Sequence, residues 1–294
     1  MRKSWLQTMK KWLLILLLLC LFLSGCTHRE AAQITATTLP VYEFTSALCE
    51  DTGLRVSRLV TEEVSCLHDY TLQVSQMQAV ESAQVVVCNG AGLENFLEDA
   101  LKKANRIVDA SSDISLTCAE EHHHDGQHHE HDPHIWLSPE NAKQMAETIC
   151  AELTAIYPQH EDRFAKNLDA LLTQLDSLQE YGQQQLKDLH CRNLITFHDG
   201  FHYFAESFDL HILKAVEEES GSEASAKELI EIIRLIEDNQ LPAIFTEQNG
   251  STAAANIISA ETNTKVFTLD MAMSGNSYFE AMYRNIDTVK EALG

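Results

Sequence analysis

The sequence predicts an α/β protein of two lobes, each a parallel sheet flanked by helices, joined by a long rigid helix. Three observations predict it. Short β-branched runs alternate with helical faces from Ile34 to Asp109, and the same rhythm returns from Asn193 to Leu293. Strand–helix alternation is the pattern of parallel sheets covered by helices. Between the two halves, apolar residues recur at three–four spacing from Phe164 to Leu189, the signature of one long amphipathic helix.

The elements follow in order. Arg2, Lys3, Lys10 and Lys11 precede an apolar run, Trp12 to Leu23, that is too short to span a bilayer as a helix. It ends in Leu23-Ser24-Gly25-Cys26. Small residues before a cysteine resemble a bacterial lipoprotein signal, so residues 1–25 are expected to be removed and Cys26 to carry lipid. Residues 26–32 form a polar tether. The N-terminal lobe is expected over 33–139. It holds strands at Ile34–Leu39, Arg55–Val60, Val85–Cys88 and Arg106–Asp109, and helices at Val41–Cys49, around Leu72–Val80, and at Leu93–Ala104. A loop with His68 follows the second strand. Residues 140–190 are helical. Ser138-Pro139-Glu140 combines a capping serine, proline at the first position and acid in the first turn. Tyr157-Pro158 interrupts this helix, and Glu161–Leu189 would then run about 43 Å at about 1.5 Å per residue. That length suits a strut between lobes; the irregular charge pattern argues against a coiled-coil dimer. The C-terminal lobe, 191–294, has strands at Asn193–Phe197, His211–Val216, Ala243–Phe245 and Lys265–Leu269. Its helices are Tyr203–Phe208, Ala226–Asn239, Ala253–Thr262 and Ser277–Leu293.

The 294-residue chain is acidic, with a formal net charge of −23, and removal of the leader makes it four units more negative. This argues against nucleic acid, whose phosphates need basic patches, and favours cations. Six of the eight cysteines follow Cys26: Cys49, Cys66, Cys88, Cys118, Cys150 and Cys191. None has CxxC spacing. Their pairing is open, a Cys66–Cys118 bridge being one option, and Cys88 reads as a small core residue closing its strand.

Seven of the fourteen histidines lie between His122 and His134, mixed with Asp125, Glu130 and Asp132. Imidazole and carboxylate are ordinary ligands for zinc and other borderline divalent metals. The stretch 121–131 reads as a loop with auxiliary metal sites at His122, His123, His124, His128, His129 and His131. The string Asp132-Pro133-His134-Ile135-Trp136-Leu137-Ser138-Pro139 is more specific, because it pins His134 immediately before a helix start. His68, His198 and Asp270 each lie just beyond a strand, and open parallel sheets bind ligands outside the carboxyl ends of their strands. Three imidazoles and one carboxylate, two from each lobe, make a four-coordinate site of a kind zinc accepts, in the cleft between lobes.

These residues resemble the metal-binding lipoproteins of ABC importers for zinc and manganese. The matching stretches are the lipobox, His68-Asp69-Tyr70, Asn89-Gly90-Ala91-Gly92-Leu93-Glu94, Asp132 to Pro139, Thr196-Phe197-His198-Asp199, Ser222-Glu223, Phe245-Thr246-Glu247 and Leu269-Asp270. The resemblance spans the mature chain and implies two α/β lobes with one metal at their interface, held by His68, His134, His198 and Asp270. Histidine at position 198, where the manganese branch usually has glutamate, points to zinc. Two departures stand out: the usual prolines are absent around His68, where Cys66 is a competing soft ligand, and Gln248-Asn249 follow Glu247. Glu247 and His202 read as outer partners of the ligands. The implied role is a monomeric, non-enzymatic, lipid-anchored or periplasmic protein that captures zinc and delivers it to a membrane permease. HExxH, GxSxG and P-loop motifs are absent. The alternatives are a manganese or iron protein of the same fold, a zinc-dependent extracytoplasmic hydrolase, and a metal-binding adhesin.

Overall fold

The computed structural model describes residues 32–64, 67, 70–116, 131–216 and 224–294. The leader with Cys26, the ligand His68, Cys66, Cys118, the loop histidines His122, His123, His124, His128 and His129, and Ser222-Glu223 all lie outside the described residues.

The first lobe runs β1 (Ile34–Ala36), α1 (Leu39–Leu48), β2 (Val56–Arg58), α2 (Val74–Ser82), β3 (Val85–Cys88), α3 (Glu98–Leu101) and β4 (Ile107–Asp109). Two helices follow, α4 (Pro139–Ile156) and the 26-residue α5 (Glu161–Leu186). The second lobe runs β5 (Asn193–Thr196), α6 (His202–Ser207), β6 (His211–Ala215), α7 (Ala226–Asn239), β7 (Ala243–Glu247), α8 (Ala253–Thr262), β8 (Lys265–Leu269) and α9 (Tyr278–Leu293). Both sheets are wholly parallel, with orders β2-β1-β3-β4 and β6-β5-β7-β8. Each therefore reverses its winding beside its first strand, and the crevice between β1 and β3, or between β5 and β7, is the switch point where such sheets bind ligands.

Some elements differ from what the sequence predicts. The first strand stops at Ala36 because Pro40 sits in the first turn of α1, where it lacks only an N–H that would be unpaired anyway. The expected helix over Leu93–Ala104 is a 3₁₀ turn, Leu93–Leu97, followed by the short α3. Gly92 enters it with φ +84, and Glu94 departs from helical geometry. Helix α5 ends at Leu186, three residues early, and spans about 39 Å. Ser138 caps α4 by accepting the N–H of Asn141. Ser225 and Glu228 form a capping box on α7.

Side chains alternate between the two faces of each sheet. In the first lobe, Ile34, Val85 and Val87 face one core, whereas Val86 and Cys88 face a small cluster under α2 and α3. In the second, Leu194, Ala243 and Phe245 face the same large core, and Ile195 and Ile244 face a cluster under α7 and α8. The large core is continuous through both lobes and includes Phe44 of α1, Met145 and Ile149 of α4, Leu171 and Leu175 of α5, and Ile286 and Val289 of α9. Parting the lobes would expose that shared interior, so they are fused rather than hinged on one helix. At Gly182 of α5, a Cβ would come within 2.1 Å of the Phe208 ring, so glycine is what lets the second lobe pack this close to the helix.

Cys49, Cys88, Cys150 and Cys191 are free thiols. Burial pushes Cys49 up to about 12 and Cys88 well above the usual thiol range, so neither is a thiolate ready to bind metal. Among the described residues, no helix is long and apolar enough to cross a membrane.

Candidate metal centre

Two histidines meet at the junction of the lobes. His134 caps the 3₁₀ turn Ile135–Leu137 at φ −82, ψ 41, and is 2% exposed. His198 follows β5 at the second lobe's switch point and is 4% exposed. Their Nε2 atoms stand 3.3 Å apart, with the rings nearly perpendicular at 85°.

A carboxylate stands behind each ring. Asp132 Oδ1 lies 2.7 Å from His134 Nδ1 and also accepts the His134 backbone N–H at 2.9 Å. Glu247 Oε2, at the end of β7 across the switch point, lies 3.2 Å from His198 Nδ1. The hydrogen bond between His134 Nδ1–H and Asp132 leaves Nε2 of that ring its lone pair, facing Nε2 of His198, whose own Nδ1 has the Glu247 carboxylate at ion-pair distance. That is the carboxylate–histidine arrangement that fixes a metal-ligating imidazole and raises its basicity. Two such nitrogens on a tetrahedral zinc at about 2.0–2.1 Å would be about 3.3 Å apart. The chemistry and spacing of this donor pair therefore fit a zinc ion.

The backbone that carries these rings is pinned from both lobes. Asn89 Nδ2 donates to the Pro133 carbonyl at 3.0 Å, Trp136 Nε1 to the Met271 carbonyl at 2.6 Å, and the Tyr278 hydroxyl to the Trp136 carbonyl at 2.9 Å. On the His198 side, a Cβ on Gly200 would lie 2.6 Å from His198 Cδ2 and 2.7 Å from Met271 Cε. Glycine there makes room for the ring in this orientation.

His68 is outside the described residues. Asp270 follows β8 at the sheet edge; its backbone is clamped by the buried Asn285 amide, which accepts the Asp270 N–H at 2.8 Å and donates to its carbonyl at 2.7 Å. Its carboxylate accepts the Ala272 N–H through Oδ1 and pairs with Arg284 through Oδ2 at 2.8 Å. Among the described residues, no three His, Cys, Asp or Glu side chains converge as a metal group, so His134 and His198 are brought together and Asp270 is turned to Arg284. His202 pairs with Asp199 Oδ1 at 2.7 Å. That bond, with the nearby His202, His134 and His198 rings, holds the Asp199 carboxyl below its ordinary range against the opposing effect of burial. His131 is half-buried at the start of the pinned segment.

The sequence places Asp132 among the carboxylates of the histidine tract and Asp199 beside His198, but it does not reveal that each pairs with a histidine, nor the parts of Arg284 and Gly200. Asp132 carried a signal: an aspartate two residues before a ligand can bond that residue's N–H and ring together.

Residues 34–292 match the family described as the periplasmic component A of the zinc-uptake complex, ZnuA. The zinc-binding lipoprotein AdcA of Streptococcus pneumoniae strain R6 is 30% identical over 307 residues, covering 96% of this chain and 61% of AdcA. The chain thus spans less than two thirds of that relative's length. A crystal structure of ZnuA superposes with a TM-score of 0.77 at 29% identity, covering 89% of this chain and 99% of that one. The Zn(II)-bound ZnuA-like domain of S. pneumoniae AdcA superposes with a TM-score of 0.74 at 27% identity, covering 88% and 98%. With the family match running through residues 34–292, the chain belongs to the ZnuA family of zinc-uptake components.

Proposed function

We propose that this chain is the extracytoplasmic zinc-binding component of an ABC importer, which captures zinc between its lobes and hands it to a membrane permease. The observation that carries this is the pair of carboxylate-backed imidazoles with Nε2 atoms 3.3 Å apart. A donor set led by imidazole suits zinc better than manganese, which prefers carboxylate and water. His68 and Asp270 complete four-coordination in this reading, the second by leaving Arg284 for the metal. The relatives named as zinc-binding and as lipoproteins support both the cargo and a lipid anchor at Cys26. The histidines of 121–131 gather zinc through weaker, faster sites. The chain acts as a monomer and performs no catalysis.

The test is a zinc titration against a competing chelator, on metal-stripped protein starting at Thr27. Deleting 121–130 is expected to leave one tightly held zinc per chain. Asp270→Ala should lower the affinity by at least the roughly 10–100-fold that loss of an outer partner costs. If the deletion removes tight binding, the cargo is held by the loop and not between the lobes.

A further inference from the structure

We infer that Glu94, acting through Asn89, is a positioning residue for His134, so that the first lobe's switch point sets the zinc affinity of the site. This rests on His134 being a zinc ligand.

The first lobe has its own buried glutamate at the crevice between β1 and β3. Glu94 is 5% exposed and its carboxylate accepts three hydrogen bonds. The Thr37 hydroxyl, just past β1, donates to Oε1 at 2.6 Å; the Asn89 N–H, just past β3, donates to Oε1 at 2.7 Å; the Gly90 N–H donates to Oε2 at 3.0 Å. These bonds hold a turn that the backbone would not choose unaided. Gly90, Ala91 and Gly92 have φ of +85, +52 and +84, and a left-handed alanine persists only where its surroundings impose it. A Cβ on Gly90 would lie 1.8 Å from Asp109 Oδ1. The clamped turn then aims the Asn89 amide, whose Nδ2 donates to the carbonyl of Pro133, the residue bonded to His134. The path from Glu94 to the ligand is thus one clamp, one amide and one peptide unit, all buried. It parallels the second lobe, where the Glu247 carboxylate at the corresponding switch point stands 3.2 Å from His198 Nδ1.

The charge state of Glu94 matters because three donors face it. Burial pushes its carboxyl up to about 7, against the lowering effect of Thr37, Asn89 and Gly90; the Asp109 carboxylate at the end of β4 pushes the same way as burial. The Cys88 thiol on β3 also faces it and stays protonated. Above this value the carboxylate accepts all three bonds. As pH falls through it, the bound proton turns one oxygen into a donor, and one of the three partners loses its acceptor. The turn loosens, and zinc affinity falls by an amount additional to protonation of the histidine ligands.

Glu94→Gln mimics the protonated form at every pH. Zinc affinity of wild-type and Glu94→Gln protein, measured by chelator competition at pH 8.5 and pH 6, separates this effect from ligand protonation, which is common to both proteins and cancels in their ratio. The wild type is expected to bind about tenfold more tightly at pH 8.5, at the lower end of what outer partners of a metal site contribute, and about equally at pH 6. Asn89→Ala removes the Nδ2 bonds to the Pro133 and Gly90 carbonyls while leaving the bonds from the Asn89 and Gly90 backbone N–H groups to Glu94, so it should show the same convergence, and adding Glu94→Gln to it should have little further effect. If Glu94→Gln does not fold, the Asn89→Ala comparison at the two pH values decides alone. A ratio near one at both pH values, or an equal loss at both, overturns the inference. His134→Ala is the control: if it keeps tight zinc, the assignment of the ligand itself has failed, whereas loss of zinc in His134→Ala with unaltered binding in the other variants rejects only the role of Glu94.

Discussion

His198→Ala is expected to lose tight zinc, with an affinity at least on the order of 10³-fold weaker, since outer partners alone contribute about 10–100-fold. The reason is geometric. His198 supplies one of two Nε2 atoms already 3.3 Å apart, with the Glu247 carboxylate 3.2 Å behind its Nδ1 and Gly200 leaving room beside its ring. No described side chain stands ready to replace it: Asp199 is engaged by His202, and Asp270 by Arg284 and the Ala272 N–H. Glu247→Gln keeps the ring in place but weakens the partner that makes Nε2 a strong donor, so it should fall inside the 10–100-fold range. Chelator-competition titration reads both. Zinc held by His198→Ala with the affinity of the wild type would move the site to the histidine-rich segment or to Cys66.

Trp136→Ala should produce the largest loss of stability, about 3–5 kcal/mol by the usual cost of emptying a buried aromatic site. At about 2–4 °C per kcal/mol for a domain of this size, the thermal midpoint should fall by about 6–20 °C. Trp136 is fully buried in the core that both lobes share. Its indole N–H is bonded to the Met271 carbonyl of the second lobe, and its own carbonyl accepts the Tyr278 hydroxyl. Its ring lies edge-on to His134, with centroids 5.4 Å apart. Loss of the indole therefore opens a cavity, leaves a buried carbonyl unpaired and slackens His134. Trp136→Phe restores most of the volume without the N–H and should recover more than half of the loss. Circular dichroism melts of the metal-free proteins check this; a midpoint within about 2 °C of wild type for Trp136→Ala would mean that the lobes do not depend on this junction.

Much of the architecture was legible because its signals are local. Ser138-Pro139 marks the start of α4, and Val85–Cys88 reads as a strand by its unbroken apolar run. Reading failed where tertiary contacts chose among local options. The stretch Leu93–Ala104 has helical periodicity, yet Glu94 is drawn out of helical geometry to clamp the Asn89–Gly90 turn. The strand order, and the single core that fuses the lobes, depend on contacts between residues more than a hundred positions apart, such as Trp136 with Met271, and no sequence period records them. At the site, His134 and His198 were legible as histidines in specific strings beyond strands. Asp132 stands out in the sequence only as one acidic residue of the histidine tract, with nothing to mark it as the partner of His134, and Arg284 lies a helix away from Asp270.

The most direct measurement is anomalous diffraction at the zinc edge from crystals of the zinc-loaded protein. One zinc is expected at about 2.0–2.1 Å from Nε2 of both His134 and His198, with Asp132 and Glu247 still on the Nδ1 side of each ring. A zinc lodged on the 121–131 segment or on Cys66, with the two Nε2 atoms out of coordination distance, would contradict the account.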